Sequence, residues 1–368
     1  MKNLTKIAII ATVLLSFSIN YSLKAQSQYQ MPNSGFETFE IGFNGEGQQP
    51  TDWKGSNVVH TALGVTVRKT LVSSNPNGRT GNCVYLHNEM VGAMGIEAPA
   101  PAFIALGMPW NEVDGISADK AIGGCEVGIE FTYRPDTLEL WIKRTYETQE
   151  NARVLLYLWK GIAIGTSYRN KAGNCQDSNR TNEESDIRGK NSCTTTQRAI
   201  LVGEGEWVSG RQFEDWTQIK VPVMYFNNEI PEKINIIISA ANSPAEGEAN
   251  TIKAGSKLWA DDLKLIYSSK IDKLLVGGKS VSANFHTDTL SYTYSLGSTT
   301  TIPAITAFRA GRQLSGAEIN ITNGVIDGAP SEITVKAEDG SSSTTYKVYF
   351  VSQPSTPSTT NVSPMPSS

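Results

Sequence analysis

The segment T-L-E-L-W-I-K-R at positions 137–144 alternates apolar and polar side chains with a period of two. Successive side chains of a β-strand point to opposite sides of the sheet, so this period predicts a strand with one buried face. Leu138, Leu140 and Ile142 form the predicted core face. The opposite face of the same strand carries Glu139, Trp141 and Lys143.

A second segment, Arg153–Trp159, repeats this pattern after a turn predicted at Glu147–Asn151. If the two segments form a hairpin, the register brings their polar and aromatic residues onto one face. That predicted ligand-binding face comprises Glu139, Trp141, Lys143, Arg153, Tyr157 and Trp159. Such a face suits a sugar, whose C–H groups pack on aromatic rings while its hydroxyls take polar partners. The alternative is that a second layer covers the face and the aromatic residues are ordinary core.

Short β-rich segments separated by Gly, Pro, Asn, Asp and Ser recur along the whole chain and predict an all-β protein. Predicted strands include Asn82–Leu86, Trp216–Val223, Lys233–Ala240, Lys257–Tyr267 and Ile271–Val276. Around Ser268-Ser269-Lys270 the strands become shorter, with Thr and Ser on their exposed positions. This change indicates two β-sandwiches, of which the second is immunoglobulin-like. The predicted division is a signal peptide (1–25), a first sandwich (26–269), an immunoglobulin-like sandwich (270–353) and a disordered tail (354–368).

The first residues have the form of an export signal. Lys2 and Lys6 precede an apolar run from Ile7 to Ile19, and a plausible cleavage site follows near Ala25. The run is too short for a good membrane span, and no later stretch reaches span length. We therefore expect a protein exported to the periplasm, the outer cell surface or the medium, without a membrane span.

Composition excludes several functional classes. With 32 Lys and Arg against 36 Asp and Glu, and no dense basic run, the sequence predicts no positively charged surface for nucleic acid. Three His and four Cys leave no material for a zinc ribbon, an iron–sulfur cluster or an HExxH protease.

The four cysteines of an exported chain are candidates for disulfides. Cys175 and Cys193 bracket a polar stretch that lacks apolar residues to order it, so we predict a disulfide between them. Cys83 is either a buried free thiol or bridged to Cys125, and spacing does not decide between the two.

The first predicted domain opens with P-N-S-G-F-E at positions 32–37 and P-T-D-W at 50–53, and closes with L-W-A-D-D-L-K-L at 258–265. Both ends resemble exported Bacteroidetes jelly-roll domains that handle carbohydrate. The central segment F-T-Y-R-P-D-T-L-E-L-W-I-K at 131–143 is similar to the F-x-x-R-P-x-x-L-x-x-x-x-K core of the putative carbohydrate metabolism domain family. The resemblance covers about 30–268.

The resemblance implies a jelly roll with a role in glycan use, often paired with an immunoglobulin-like module. Residues 271–351 look like the small bacterial cadherin-like sandwich, which usually acts as a spacer. In related jelly rolls a calcium ion often ties the opening segment to the closing strand, and the matching positions here are Glu37, Asp261 and Asp262. Asp261 shares strand parity with Leu263 and Leu265, which predicts that it faces inward. The alternative is that Asp261 caps a loop by accepting backbone N–H bonds.

Three functional classes follow. We expect a non-catalytic protein that binds an oligosaccharide or polysaccharide and assists glycan capture, with other cell-surface glycan-utilisation proteins as candidate partners. A glycoside hydrolase would need two carboxylates facing each other across a cleft, and no spacing in the sequence selects such a pair. A structural or adhesive surface protein is the third class.

Overall fold

The alternating segment forms a strand from Thr137 to Thr145 in the computed structural model of the chain. The structure describes residues 29–62, 64–113, 121–161, 163–165, 185–186, 200–242, 252–309 and 316–352. These residues contain strands and no helix, so the predicted all-β class is confirmed. The chain divides into two units between Ser268 and Ser269, with Gly316 grouped in the first.

In the first unit the described strands are β1 (Phe39–Ile41), β2 (Gln48–Pro50), β3 (Lys54–Gly55), β4 (Val58–Ala62), β5 (Val65–Lys69), β6 (Val72–Asn75), β7 (Cys83–His87), β8 (Glu89–Ala93), β9 (Ile96–Ala100), β10 (Phe103–Ala105), β11 (Met108–Val113), β12 (Ala121–Glu126), β13 (Ile129–Glu130), β14 (Thr137–Thr145), β15 (Ala152–Lys160), β16 (Ala163–Gly165), β17 (Ser185–Asp186), β18 (Ile200–Ser209), β19 (Phe213–Pro222), β20 (Met224–Tyr225), β21 (Lys233–Ser239) and β22 (Lys257–Ile266). In the second unit they are β23 (Ile271–Val276), β24 (Lys279–Ser280), β25 (Ser291–Ser295), β26 (Ile305–Arg309), β27 (Glu318–Thr322), β28 (Ser331–Lys336) and β29 (Ser343–Val351).

One main sheet of the first unit has five antiparallel strands in the order β19-β14-β22-β7-β6. Buried and half-buried residues alternate along the whole of β14. Leu138, Leu140 and Ile142 are fully buried on its inner face, as the sequence predicts. The opposite, outer face of this sheet is therefore where Trp141 and its neighbours lie.

The other main sheet has the order β20-β18-β15-β21-β10-β3, with β13 also paired to β21. Strand β21 is buried at every position but its first, which is typical of a strand covered on both faces. Val154 and Ile238 face each other across β15 and β21 and are fully buried, as are Leu156 and Ile236. The buried faces of the two main sheets form a β-sandwich core.

The outer face of the seven-stranded sheet is also apolar and covered. A buried cluster on this side comprises Ala105, Cys125, Leu155, Tyr157, Trp159 and Ile237, with Phe103 and Leu201 packed against it. Cys125 belongs to β12, a strand of a separate sheet ordered β11-β12-β16-β17. A second layer therefore packs on this face, as the alternative interpretation of the aromatic residues proposes.

The predicted hairpin between Thr137–Arg144 and Arg153–Trp159 is wrong. Strand β14 pairs with β19 and β22, whereas β15 pairs with β18 and β21 in the other sheet. The segment 146–151 therefore connects the two main sheets. The alternation along β14 predicts its own faces correctly, but short-range pattern contains no information about which distant strands flank it.

The opening motif has a physical role in closing the sandwich. Phe36 and Trp53 are fully buried, and their rings meet edge to face with centroids 5.4 Å apart. The Trp53 indole N–H donates to the backbone carbonyl of Pro32 at 3.0 Å. The Leu263 N–H donates to the Ser34 carbonyl at 2.8 Å, which joins the opening segment to β22.

The second unit has two sheets, ordered β24-β23-β26 and β25-β29-β28-β27, in which β25 and β29 run parallel. A two-residue turn at Gly277 and Gly278, both at positive φ, joins β23 to β24. One buried apolar cluster lies between elements of both sheets, including Leu274, Ile333 and Tyr346. The immunoglobulin-like assignment of this unit stays a prediction. No helical segment in the described ranges has the length and apolar character of a membrane span.

Candidate functional site

Half-buried aromatic and charged side chains gather on the outer face of the five-stranded sheet. We call this surface the aromatic face and define it by Tyr85, Trp141, Lys143, Trp216 and Trp259. Four neighbouring strands contribute these residues, because β19, β14, β22 and β7 lie side by side. Lys143 lies directly opposite Trp259, and Trp259 directly opposite Tyr85, so the three side chains form a row across the sheet.

The rings at the centre of this row are close to one another. Tyr85 and Trp259 have centroids 4.9 Å apart with their planes tilted by 34°. The His87 ring lies 5.9 Å from Tyr85 at 30°, which extends the row along β7. These rings are neither exposed nor fully buried, so the edge or face of each remains accessible from solvent. The arrangement can support a flat apolar ligand face.

Charged groups surround the rings. The Lys143 ammonium nitrogen lies 5.9 Å from the Trp259 ring centroid and 6.0 Å from that of Trp216. Both distances fall within the range of cation–π attraction. Glu139, on the same face of β14, is paired with Lys220 at 2.7 Å and accepts a hydrogen bond from Gln218 at 3.2 Å.

Partial burial changes the acid–base properties of two residues on β7. Desolvation raises the pKa of the Tyr85 hydroxyl, and the negative charge of Glu89 acts in the same direction. Desolvation lowers the pKa of His87, although its Nδ1 lies 2.8 Å from the Glu89 carboxylate, which opposes the shift. The Tyr85 and His87 side chains are therefore uncharged near neutral pH.

The loop between β6 and β7 folds over one end of the aromatic face. The Arg79 guanidinium lies 4.2 Å from the Trp141 ring centroid and forms an ion pair with Asp262. Arg79 therefore covers part of the Trp141 ring and places a second cation beside the aromatic face.

Asp261 anchors this loop. Its Oδ2 accepts hydrogen bonds from the backbone N–H groups of Arg79 (2.7 Å) and Thr80 (3.2 Å), and its Oδ1 accepts one from Asp262 (2.7 Å). Burial raises the pKa of the Asp261 carboxyl, against the effect of these three bonds. The alternative in which Asp261 accepts backbone N–H bonds is thus the arrangement in the structure.

The predicted parity of Asp261 with Leu263 and Leu265 is wrong, although Asp261 is fully buried. Asp262 has φ of 47° and forms a β-bulge, where the register with β14 shifts. Asp261 lies opposite Trp141, on the outer side, and is buried beneath the loop. The leucines after the bulge face the core.

The loop between β6 and β7 contacts all three predicted calcium ligands, and their oxygens face N–H donors. Glu37 accepts a hydrogen bond from the Asn82 N–H at 2.9 Å, and the Asp262 carboxylate forms an ion pair with Arg79. The positive ends of these donors would repel a cation, so the residues as arranged do not fit calcium. No group of three or more His, Cys, Asp or Glu side chains able to hold a metal occurs in the described ranges. Calcium binding stays a prediction.

A buried carboxylate supports the other end of the aromatic face. Glu150 Oε2 accepts hydrogen bonds from Asn88 Nδ2 (3.0 Å), Ser256 Oγ (2.9 Å) and the Lys253 N–H (3.1 Å). Burial raises the pKa of the Glu150 carboxyl despite these bonds. Because Ser256 immediately precedes β22, this network fixes the start of the strand that carries Trp259.

The structure separates the predicted ligand-binding residues into two groups. Glu139, Trp141 and Lys143 lie on the outer face of the five-stranded sheet. On β15, Arg153 is paired with Glu206 at 2.7 Å. Tyr157 and Trp159 are 1% and 2% exposed beneath the second layer, so they have no surface for a ligand. The expected single face of six residues is therefore corrected to a face centred on Trp141 and Lys143.

The two described cysteines, Cys83 and Cys125, are buried and are not bridged to each other, so the alternative of a Cys83–Cys125 bridge is wrong. Burial raises the pKa of each thiol to about 12, and the Asp261 charge contributes at Cys83. Both thiols are therefore protonated and unreactive. Cys175 and Cys193 lie outside the described residues, and their disulfide stays a prediction.

Similarity to known proteins is low. No protein-family model and no curated protein matches the chain. Among solved structures it is similar to a "putative glycoside hydrolase" from Bacteroides vulgatus ATCC 8482, with 16% identity, a TM-score of 0.37, and coverage of 65% of this chain and 97% of that one. A second "putative glycoside hydrolase", from Bacteroides thetaiotaomicron VPI-5482, has 15% identity, a TM-score of 0.38, and coverage of 64% and 70%. A "putative sugar binding protein" from the same strain has 12% identity, a TM-score of 0.26, and coverage of 64% and 98%. Similarities of this size do not assign a function.

The sequence interpretation missed Tyr85, Trp216 and Trp259 as members of the site. All three lie in segments that were predicted to be strands, on the faces opposite their core residues. The missing information was the pairing of β14 with β19 and β22, and of β22 with β7, which joins segments more than fifty residues apart. On β15, the continuous apolar run Val154–Trp159 was the available sign that both faces are buried.

Proposed function

We propose that this protein binds carbohydrate without cleaving it, and that the ligand lies on the aromatic face. The observation that carries the proposal is the row Lys143, Trp259 and Tyr85, which places two aromatic rings 4.9 Å apart beside a cation on one half-buried sheet surface. Sugar C–H groups pack on such rings, and the flanking charged groups bind the hydroxyls.

The partners of Glu139, a carboxylate on the same face of β14, support a binding role over a hydrolytic one. A general acid must be free to protonate the leaving oxygen of the glycoside. Glu139 is instead engaged by Lys220 and Gln218. The predicted export signal would deliver this binding activity to the periplasm, the outer surface or the medium, where polysaccharides are found.

The test is a binding and cleavage assay on a panel of polysaccharides with the full chain. We expect retention on at least one polysaccharide with no release of reducing sugar. Trp259→Ala should weaken binding roughly tenfold or more, because a stacking ring at the centre of an interface contributes about 1–3 kcal/mol. Trp259→Phe, which keeps a ring, should retain much of the affinity.

Trp207→Ala is the matched control, since Trp207 is also half-buried but lies on β18 of the other main sheet. Equal losses in the Trp259 and Trp207 variants would contradict the assigned face. Release of reducing sugar would favour the hydrolase alternative, and absence of binding to every polysaccharide would favour a structural or adhesive role.

A further inference from the structure

The geometry points to an acidic glycan as the ligand of the aromatic face, with Lys143 as the residue that recognises its carboxylate or sulfate groups. This inference rests on the proposed carbohydrate-binding function and adds the chemical class of the ligand. It derives from the surroundings of one cation, Lys143, which lies between two aromatic rings.

Lys143 is held at the centre of the aromatic face. Strand β14 lies between β19 and β22, which carry Trp216 and Trp259. The Lys143 ammonium nitrogen is 6.0 Å from the ring centroid of Trp216 and 5.9 Å from that of Trp259. The two rings flank the ammonium group and shield part of it from solvent. A charge in such surroundings interacts more strongly with an opposite charge than one in open solvent.

Lys143 forms no ion pair in the part of the chain that the structure describes. Other lysines nearby do, since Lys220 pairs with Glu139 at 2.7 Å and Lys69 with Glu89 at 3.0 Å. The remaining acidic groups at the end of the sheet beside Trp141 are also engaged. Asp262 is paired with Arg79, and the oxygens of Asp261 accept three backbone N–H bonds.

A partly desolvated ammonium without a counter-ion recognises an anion better than a neutral group. A sugar hydroxyl can accept a hydrogen bond from the ammonium group, but only a carboxylate or sulfate also neutralises the ammonium charge. The rings beside Lys143 would hold the sugar plane, so the acidic substituent would meet the ammonium at a fixed distance from the stacked ring. Arg79 beside Trp141 adds a second positive group on the same face.

The experiment compares charged and neutral forms of the same polymers. Polygalacturonate is paired with its fully methyl-esterified form, and dextran sulfate is paired with dextran. Binding of each to the full chain is measured at low and at high salt. We expect tight binding of at least one charged polymer, weaker binding of its neutral partner, and loss of the difference as salt rises.

Three variants locate the effect. Lys143→Met keeps the apolar stem between the rings but removes the charge, and should weaken binding of the charged polymer at least about tenfold, as expected for a charge-assisted contact. Lys143→Arg should retain most of the affinity. Lys264→Met is the matched control, because Lys264 is an exposed lysine on the same sheet face, opposite Glu139, and should change binding less than about twofold.

The outcomes separate this inference from the proposed function. Equal binding of charged and neutral partners, or equal effects of the Lys143 and Lys264 methionine variants, would overturn the acidic-glycan inference. If Trp259→Ala still abolished binding in that case, the proposed function would stand. Absence of binding to these four polymers together with Trp259-dependent binding to other neutral polysaccharides would also overturn the inference alone. Absence of binding to every polysaccharide would overturn both.

Discussion

Replacement of Asp261 by alanine is expected to destabilise the first unit by about 3 kcal/mol. The side chain accepts three backbone N–H bonds, from Arg79, Thr80 and Asp262, and is itself fully buried. Hydrogen bonds to a charged acceptor contribute about 1.5–3 kcal/mol each. The variant no longer buries a carboxylate, which offsets part of the loss and gives the net value of about 3 kcal/mol.

Urea unfolding followed by tryptophan fluorescence measures this change selectively. All seven tryptophans lie before Ser268, so the signal reports on the first unit and not on the second. With a slope of about 1–3 kcal/mol per molar urea, the midpoint should fall by about 1 M or more. The same variant should weaken glycan binding, because the loop that holds Arg79 over Trp141 loses its anchor.

Asp262→Asn is the matched control. Asparagine tolerates the positive φ of 47° at this bulge, and the variant removes only a half-exposed ion pair with Arg79. Its cost should be below about 1 kcal/mol. A midpoint for Asp261→Ala that falls no further than that of Asp262→Asn would refute the anchoring role of Asp261.

The structure supports three further predictions, and the sequence supports a fourth. Trp159→Ala should cost about 3–5 kcal/mol in the same urea assay, as expected for a buried aromatic residue, whereas a small effect would contradict its place beneath the second layer. Because burial raises the pKa of Glu150, the folded state binds its proton more tightly than the unfolded chain. The stability that this proton contributes is complete below the ordinary glutamate pKa of about 4.3. It is lost as pH rises through the raised pKa of Glu150 in the folded state. Wild type should therefore lose stability relative to Glu150→Gln over this range, and parallel pH profiles of the urea midpoint would count against the assignment. Chelation with EDTA should leave the midpoint unchanged, since N–H donors already satisfy the acidic residues beside the bulge; a midpoint that rises with added calcium would support the calcium prediction instead. Peptide mapping without reduction should find Cys175 joined to Cys193 in the exported protein, and two free thiols would defeat this prediction.

Local pattern was sufficient to predict several strands nearly to their bounds. The second-unit strand Ile271–Val276 has the predicted bounds, and β14 and β21 differ from their predicted segments by one residue. The alternation extends along β14 and buried residues fill β21 after its first position, so burial determines the structure of these two strands locally. Short strands such as β3 and β13 contain two residues each and exist through pairing with distant strands, which no local pattern records.

The candidate site was predictable only in part, because it is built from strands that are distant in sequence. Trp141 and Lys143 could be placed on an outer face from the alternation of β14 alone. The addition of Trp259 and Tyr85 requires the strand order β14-β22-β7, which depends on the packing of the whole sandwich. The assignment of Trp159 to the same face failed because β15 pairs with β18 and β21 in the other main sheet and not with β14.

The β-bulge at Asp262 reverses the side of the sheet to which the odd-numbered residues of strand β22 point. Before the bulge, Trp259 and Asp261 serve the outer face; after it, Leu263 and Leu265 close the core and join the opening segment. Deletion of Asp262 would remove the bulge, and regular alternation would still turn both leucines to the core. Relatives of this chain should therefore either keep the residue count between Trp259 and Leu263 or lose one residue together with the bulge.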